Sequence, residues 1–216
     1  MKLKVCGMRD TKNIRDLLSL QPDYVGFIFY EKSPRNAEGI LRAEVLKDFP
    51  EGIIKVGVFV NASFEFIMSK VRAYGLEMLQ LHGEESIELV KELKAEGLKI
   101  TKVFGVDDSF NFSELEPYKP HVDFFLFDTK SRQRGGTGVQ FNWEKLKEYD
   151  QEVPFFLSGG ISNENIKALD NIKGLNIHAL DVNSKYEIEP GLKDIEKIKE
   201  LVNVIPSLRN ESEGIS

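Results

Sequence analysis

Eight short β-branched or aromatic runs, separated by amphipathic segments, divide the 216-residue chain from end to end. They are LKVCGM (3–8), DYVGFIF (23–29), IIKVGVFV (53–60), EMLQLHG (77–83), KITKVFGV (99–106), FFLFDT (124–129), PFFLSGG (154–160) and IHALDVNS (177–184). Strictly alternating βα units build a parallel sheet covered by helices. Eight of them at about 27 residues each lie close to the lower size of a closed barrel. The pattern therefore predicts an α/β fold, a single (β/α)8 TIM barrel over residues 1–205, followed by a polar tail over 206–216 (PSLRNESEGIS) that contains Pro206 and frays beyond the last helix.

The intervening segments carry helix punctuation. Residues 63–75 open at Ser63 as an N-cap and stop at Gly75, and residues 84–97 begin with acidic side chains and end at Gly97. Residues 162–174 repeat the design with Ser162 as cap, whereas GGTGVQ delays the helix of the sixth unit to about Asn142.

Charge and cysteine content exclude several classes. The 29 basic and 35 acidic residues, net −6, are spread along the chain, and binding to a nucleic-acid backbone needs clustered Lys and Arg. No apolar run reaches the roughly 20 residues of a membrane helix, and no signal-peptide pattern opens the chain. A lone cysteine forms no internal disulfide. The expected setting is a reducing cytoplasm, with no nucleic acid or membrane as partner and a small anionic molecule held by a local positive site.

Side chains alternate along a strand, so each run splits into a helix-facing and a barrel-facing set. Lys4 and Cys6 share one face of the first run, Met78, Gln80 and His82 one face of the fourth, Leu126 and Asp128 of the sixth, and Ala179, Asp181 and Asn183 of the eighth. The polar members fall near the C-terminal strand ends, where barrel enzymes keep their chemistry. Lys55 and Lys102 break the apolar pattern of the third and fifth runs, and alternation alone does not orient them.

Individual residues admit two readings. Cys6 is either a small buried hydrophobe or, with Lys4 two residues away favouring its thiolate, a base or nucleophile. Asp128, after four large apolar residues, either caps a loop or faces a ligand; the first and sixth strands lie three steps apart around an eight-strand ring, so Cys6 and Asp128 could flank one molecule as a proton-transfer pair. RGGTG (134–138), LSGG (157–160) and DVNS (181–184) end three successive strands, and glycine turns after the seventh and eighth strands of such barrels bind phosphate. A phosphorylated sugar is the expected ligand. Arg35 in EKSPR is either a solvated charge or a fork for a carboxylate. His82 either orients a loop or touches substrate, and Trp143 packs between helix and barrel.

Taken together, KVCG, SPR, GVFVN, QLHG, FDT followed by GGTG and FNW, LSGGI, and DVNS followed by PGLKD resemble the phosphoribosylanthranilate isomerase family, the barrel enzymes of tryptophan biosynthesis. The resemblance spans almost the whole chain in order. It implies a cofactor-free Amadori rearrangement of N-(5-phosphoribosyl)anthranilate to 1-(2-carboxyphenylamino)-1-deoxyribulose 5-phosphate, without a metal. It further implies Asp128 as general acid, Cys6 as general base, Arg35 on the anthranilate moiety, and Gly136, Gly159, Gly160, Asn183 and Ser184 around the phosphate. His82 and Asp181 complete the expected substrate-facing set. The chain departs from the family in Lys185 and Tyr186 before Glu187, which leaves the phosphate helix open, with Lys185 either on the phosphate or in solvent. Monomer and homodimer are both compatible with the sequence. Two other readings are a phosphosugar isomerase of the histidine-pathway type, which would show a half-length repeat and an aspartate in place of Cys6, and a catalytically silent phosphosugar-binding barrel, which would have lost Cys6 or Asp128.

Overall fold

The structure is a computed structural model and describes residues 1–129 and 142–210. The strands are β1 (Lys2–Val5), β2 (Tyr24–Ile28), β3 (Ile54–Phe59), β4 (Met78–Leu81), β5 (Lys99–Val106), β6 (Phe124–Thr129), β7 (Phe155–Leu157) and β8 (Ile177–Val182). They are hydrogen-bonded in chain order into a closed parallel barrel, β1 pairing with β2 on one side and β8 on the other. Leu3, Val5, Leu79, Leu81, Phe125 and Phe127 face outward into the core under the helices. Inside, Val56, Met78, Val103, Leu126, Phe156 and Ala179 form an apolar plug. The next inward positions of β1, β4 and β8 are Lys4, Gln80 and Asp181, so the floor of the mouth is a buried polar layer resting on that plug.

The helices are α1 (Thr11–Leu18), α2 (Ala43–Lys47), α3 (Phe64–Tyr74), α4 (Ile87–Ala95) and α5 (Ile195–Asn210). Ser63 caps α3 by accepting from the Phe66 N–H, and Gly75 ends it in the left-handed conformation, φ 60°. The helix expected from residue 84 starts later, with Ser86 as the cap of α4, and Glu85 is drawn into the core: its carboxylate accepts from the Asn61 and Gly83 N–H groups and pairs with Lys102 at 3.2 Å. That pairing also settles Lys102, whose ammonium lies on the helix-facing side of β5, donating to the Gly83 carbonyl at 2.8 Å under the Phe104 ring.

Two expected helices are shorter and tighter. Residues 143–148 and 166–172 form 3-10 turns, and Ser162 does not cap the second; its N–H instead donates to the Asn165 side chain. The Asn165 side chain donates to the Gly160 carbonyl, and such local competition for backbone groups favours turns over an α-helix in so short a segment. Asn142 caps the first turn and Trp143 is buried in the core, as its packing reading requires. The last helix does not stop at Pro206: Ile198, Leu201 and Ile205 seat it on the barrel, and it runs on to Asn210. Residues 211–216 of the expected tail, and the RGGTG stretch with Gly136, lie outside the described residues. An antiparallel ribbon of β9 (Glu187–Glu189) and β10 (Leu192–Lys193), absent from the expectation, follows β8. Among the described residues no helix is long and apolar enough to cross a membrane.

Candidate active site

The mouth is assembled from strand ends. Cys6 follows β1 and is buried, its sulfur seated against β2, where a Cβ on Gly26 would come within 2.8 Å of Sγ. Lys4 reaches the centre of the floor and donates to Gln80 Oε1 at 2.5 Å and to Asp181 Oδ1 at 2.9 Å. Burial pulls the Lys4 ammonium down, but Asp181 and Cys6 together outweigh it and raise the group above its ordinary value. For Cys6 the balance falls the other way. Burial pushes the thiol up, with the Asp181 charge adding to the lift, and prevails over the pull of Lys4 and Lys193, so the net gain in thiolate character expected from Lys4 is not realised.

Asp128 lies on the opposite wall. Its Oδ1 accepts from the Thr129 N–H at 2.8 Å, and its side chain keeps 19% exposure to the mouth. Burial lifts its pKa from 3.8 to about 6, with the Asp181 charge adding to the lift and the Thr129 hydrogen bond opposing it. Gly159, φ 89°, lets β7 pass beside it: a Cβ there would meet Thr129 Oγ1 at 2.5 Å and Asp128 Oδ1 at 3.1 Å. A cleft of about 450 Å³ opens along this wall, lined by His82, Ser109, Phe110, Tyr118, Asp128 and Thr129. His82 Nε2 stands 3.7 Å from Asp128 Oδ2, and its Nδ1 is 3.2 Å from Gln80 Nε2. Cys6 and Asp128 are thus linked through Lys4, Gln80 and His82.

The remaining expected residues cluster on the β1, β2 and β8 side. Arg35 is not a solvated charge: its Nε donates to Glu187 at 2.9 and 3.0 Å and its Nη2 at 2.6 Å. Glu187 also takes the Lys193 ammonium at 2.6 Å, and Lys193 donates to Asn183 Oδ1 at 2.7 Å. Burial draws the Lys193 ammonium down to about 8, against the pull of Glu187. Gly7, φ 81°, makes the crossing possible, since a Cβ would meet Asn183 Oδ1 at 2.8 Å and Arg35 Cδ at 2.9 Å. Gly160 has φ 76° beside Gly159, and its carbonyl accepts from the Asn165 side chain. Ser184 opens only a short 3-10 turn, in which Lys185 is exposed and Tyr186 is buried, donating to Asn163. Sequence reasoning missed Glu187 and Lys193; the PGLKD motif was the available signal, but nothing local showed that a ribbon folds its lysine back to the mouth.

The chain has known relatives. A sequence profile described as N-(5'phosphoribosyl)anthranilate (PRA) isomerase matches residues 3–204. The chain belongs to the phosphoribosylanthranilate isomerase family. Among relatives named N-(5'-phosphoribosyl)anthranilate isomerase, that of Parabacteroides distasonis is 43% identical over 206 residues, covering 95% of this chain and 93% of the relative. That of Petrotoga mobilis is 38% identical, covering 97% and 99%. The crystal structure of the family member from Thermotoga maritima superimposes with a TM-score of 0.81 at 30% identity, over 100% of both chains. A family member in complex with reduced 1-(o-carboxyphenylamino)-1-deoxyribulose 5-phosphate gives a TM-score of 0.78 at 28% identity, again over 100% of both chains.

Proposed function

We propose that the chain is an N-(5'-phosphoribosyl)anthranilate isomerase of tryptophan biosynthesis, acting without a cofactor. The observation that carries this reading is the family match across residues 3–204. The roles of individual residues are part of the same proposal. Asp128, held near pH 6, protonates the furanose ring oxygen; the C1′–O bond breaks as the anthranilate nitrogen lone pair forms the C1′=N Schiff base. Cys6, as thiolate, removes the C2′ proton; the C–H electrons become the C1′=C2′ bond and the iminium electrons return to nitrogen, giving the enolamine. Loss of the C2′ hydroxyl proton and protonation at C1′ complete the ketone. Cys6 acts as a base and forms no covalent bond to substrate.

Arg35 receives the anthranilate carboxylate, and Gly159, Gly160, Asn183 and Ser184 surround the phosphate, with Gly136 assigned there by the resemblance alone. Arg35 and Lys193 against Glu187 leave a surplus positive charge on that side, which suits an anionic substrate. Asp181 lies in the floor beneath the sugar and His82 on the wall beside it. A cytoplasmic enzyme, monomer or homodimer, is the setting that fits; a dimeric family member is described from Thermotoga maritima, at 28% identity and a TM-score of 0.76. Purified protein mixed with freshly made phosphoribosylanthranilate should extinguish its anthranilate-type fluorescence. Persistence of the signal with folded protein rejects the assignment.

A further inference from the structure

We infer that Gln80 is a positioning residue that holds His82 as the tautomer carrying its proton on Nε2, facing the carboxyl of Asp128. The inference follows from donor and acceptor bookkeeping along one buried row. A lysine ammonium only donates. Lys4 Nζ lies 2.5 Å from one end of the Gln80 amide, so that end must be the carbonyl oxygen, which fixes the orientation of the amide. The NH₂ end then points to His82 Nδ1 at 3.2 Å, and Nδ1 must accept. A neutral imidazole accepting on Nδ1 carries its hydrogen on Nε2. That nitrogen stands 3.7 Å from Asp128 Oδ2.

Burial makes the row rigid at its inner end. Lys4 and Gln80 are both buried, and Lys4 is anchored a second time by Asp181. His82 follows the end of β4 and keeps 21% exposure on the cleft wall, so its ring is the point where the buried row meets the substrate space. The consequence concerns the acid. An Nε2–H offers a positive hydrogen to Asp128 when the carboxyl has given up its proton, and no lone pair to its protonated form. The row therefore favours release of the proton from Asp128, the direction that ring opening requires under the function proposed above. It also ties both catalytic walls to one lysine, since Lys4 is the charged neighbour of Cys6 as well.

Two measurements separate this inference from the functional reading on which it rests. Ring ¹⁵N chemical shifts distinguish the two tautomers, and the chain has 3 histidines, with His82 identified by the signal lost in His82→Gln. The wild-type protein at pH 8 should show His82 protonated at Nε2. Gln80→Glu, which presents acceptors to both neighbours, should move the proton to Nδ1; Gln80→Met, which adds no charge, should give a mixture of tautomers. A wild-type ring protonated at Nδ1, or no change in whichever variant folds, overturns the inference, whether or not the protein turns substrate over. In the isomerase assay Gln80→Glu should lower kcat by about tenfold while KM stays within about twofold, the signature of an interaction made mainly in the transition state. A tautomer switch with unchanged kcat overturns the positioning role and leaves the isomerase intact. Wild-type protein without turnover instead rejects the function, while the spectra still decide the tautomer.

Discussion

Lys4 donates to Asp181 across the seam between β1 and β8 at 2.9 Å, with the two side chains only 1% and 6% exposed. Removing one member of such a pair leaves the other charge buried without a partner, a loss of about 3–5 kcal/mol, whereas replacing both by apolar groups is close to neutral. Lys4→Met should therefore lower the unfolding free energy in urea by that order, and Lys4→Met combined with Asp181→Leu should recover most of it.

The same lysine pulls the Cys6 thiol towards ionisation, though burial prevails. Cys6 is the only cysteine in the chain, so alkylation by iodoacetamide reports it alone. Its rate should rise with pH through a midpoint above 9.0, the ordinary value, and the midpoint should move higher still in Lys4→Met. A midpoint below 9.0 contradicts the burial argument.

Under the proposed roles, an acid that must be protonated and a base that must be ionised, with the acid at about 6 and the base above 9.0, give a productive form that is a small fraction of the enzyme. Below pH 6 Asp128 is protonated and thiolate grows with pH, so kcat/KM rises. Between the two values the loss of protonated Asp128 and the gain of thiolate cancel, which produces a plateau; above the thiol value the rate falls. Steady-state kcat/KM against pH should thus bend near 6 and again above 9.0, and a single bend near 4 would contradict the burial of Asp128.

Asp128 should also be a cost to the fold. Its folded pKa of about 6 lies above the unsheltered 3.8, so the protein binds its proton more tightly when folded. The stabilisation is complete below pH 3.8 and is lost as pH rises through 6; by pH 8 the buried carboxylate opposes folding, with an upper bound of ~3 kcal/mol. Asp128→Asn should raise the Tm at pH 8 and lose that advantage towards pH 4, as followed by thermal unfolding at the two values.

Gly26 provides a steric test of the base role proposed for Cys6. An added Cβ would lie 2.8 Å from Cys6 Sγ and 3.2 Å from Cys6 Cα, so Gly26→Ala must displace the thiol. Overpacking of this kind costs about 1–3 kcal/mol in stability. The variant should lose turnover far more than affinity for a product analogue, compared by kcat and by equilibrium titration.

Much of this architecture was legible in the chain because alternation is enforced by geometry. A strand that places Leu79 and Leu81 under the helices must place Gln80 and His82 in the barrel, and β1, β6 and β8 obey the same constraint. Ser63 and Gly75 were legible for local reasons, through a side-chain cap and a left-handed stop. What escaped depends on long-range partners. Lys102 could not be oriented until Glu85 and the Gly83 carbonyl were seen around it, and the same burial of Glu85 leaves α4 to start after Ser86. Lys193 lies far along the chain from Asn13 yet exchanges two backbone hydrogen bonds with its side chain, which carries the ammonium to the mouth. The sign of the Cys6 shift escaped too, since a neighbouring lysine is visible in sequence and the depth of burial is not.

The central assignment, Asp128 as acid and Cys6 as base in one isomerisation, is tested most directly by measuring turnover of phosphoribosylanthranilate in Cys6→Ser and Asp128→Asn beside the affinity of each for reduced 1-(o-carboxyphenylamino)-1-deoxyribulose 5-phosphate. Each substitution should lower kcat by about 10²–10⁴-fold, the range of a positioned proton-transfer group, with affinity for the analogue nearly unchanged. A Cys6→Ser protein that retains most of the wild-type rate contradicts the assignment.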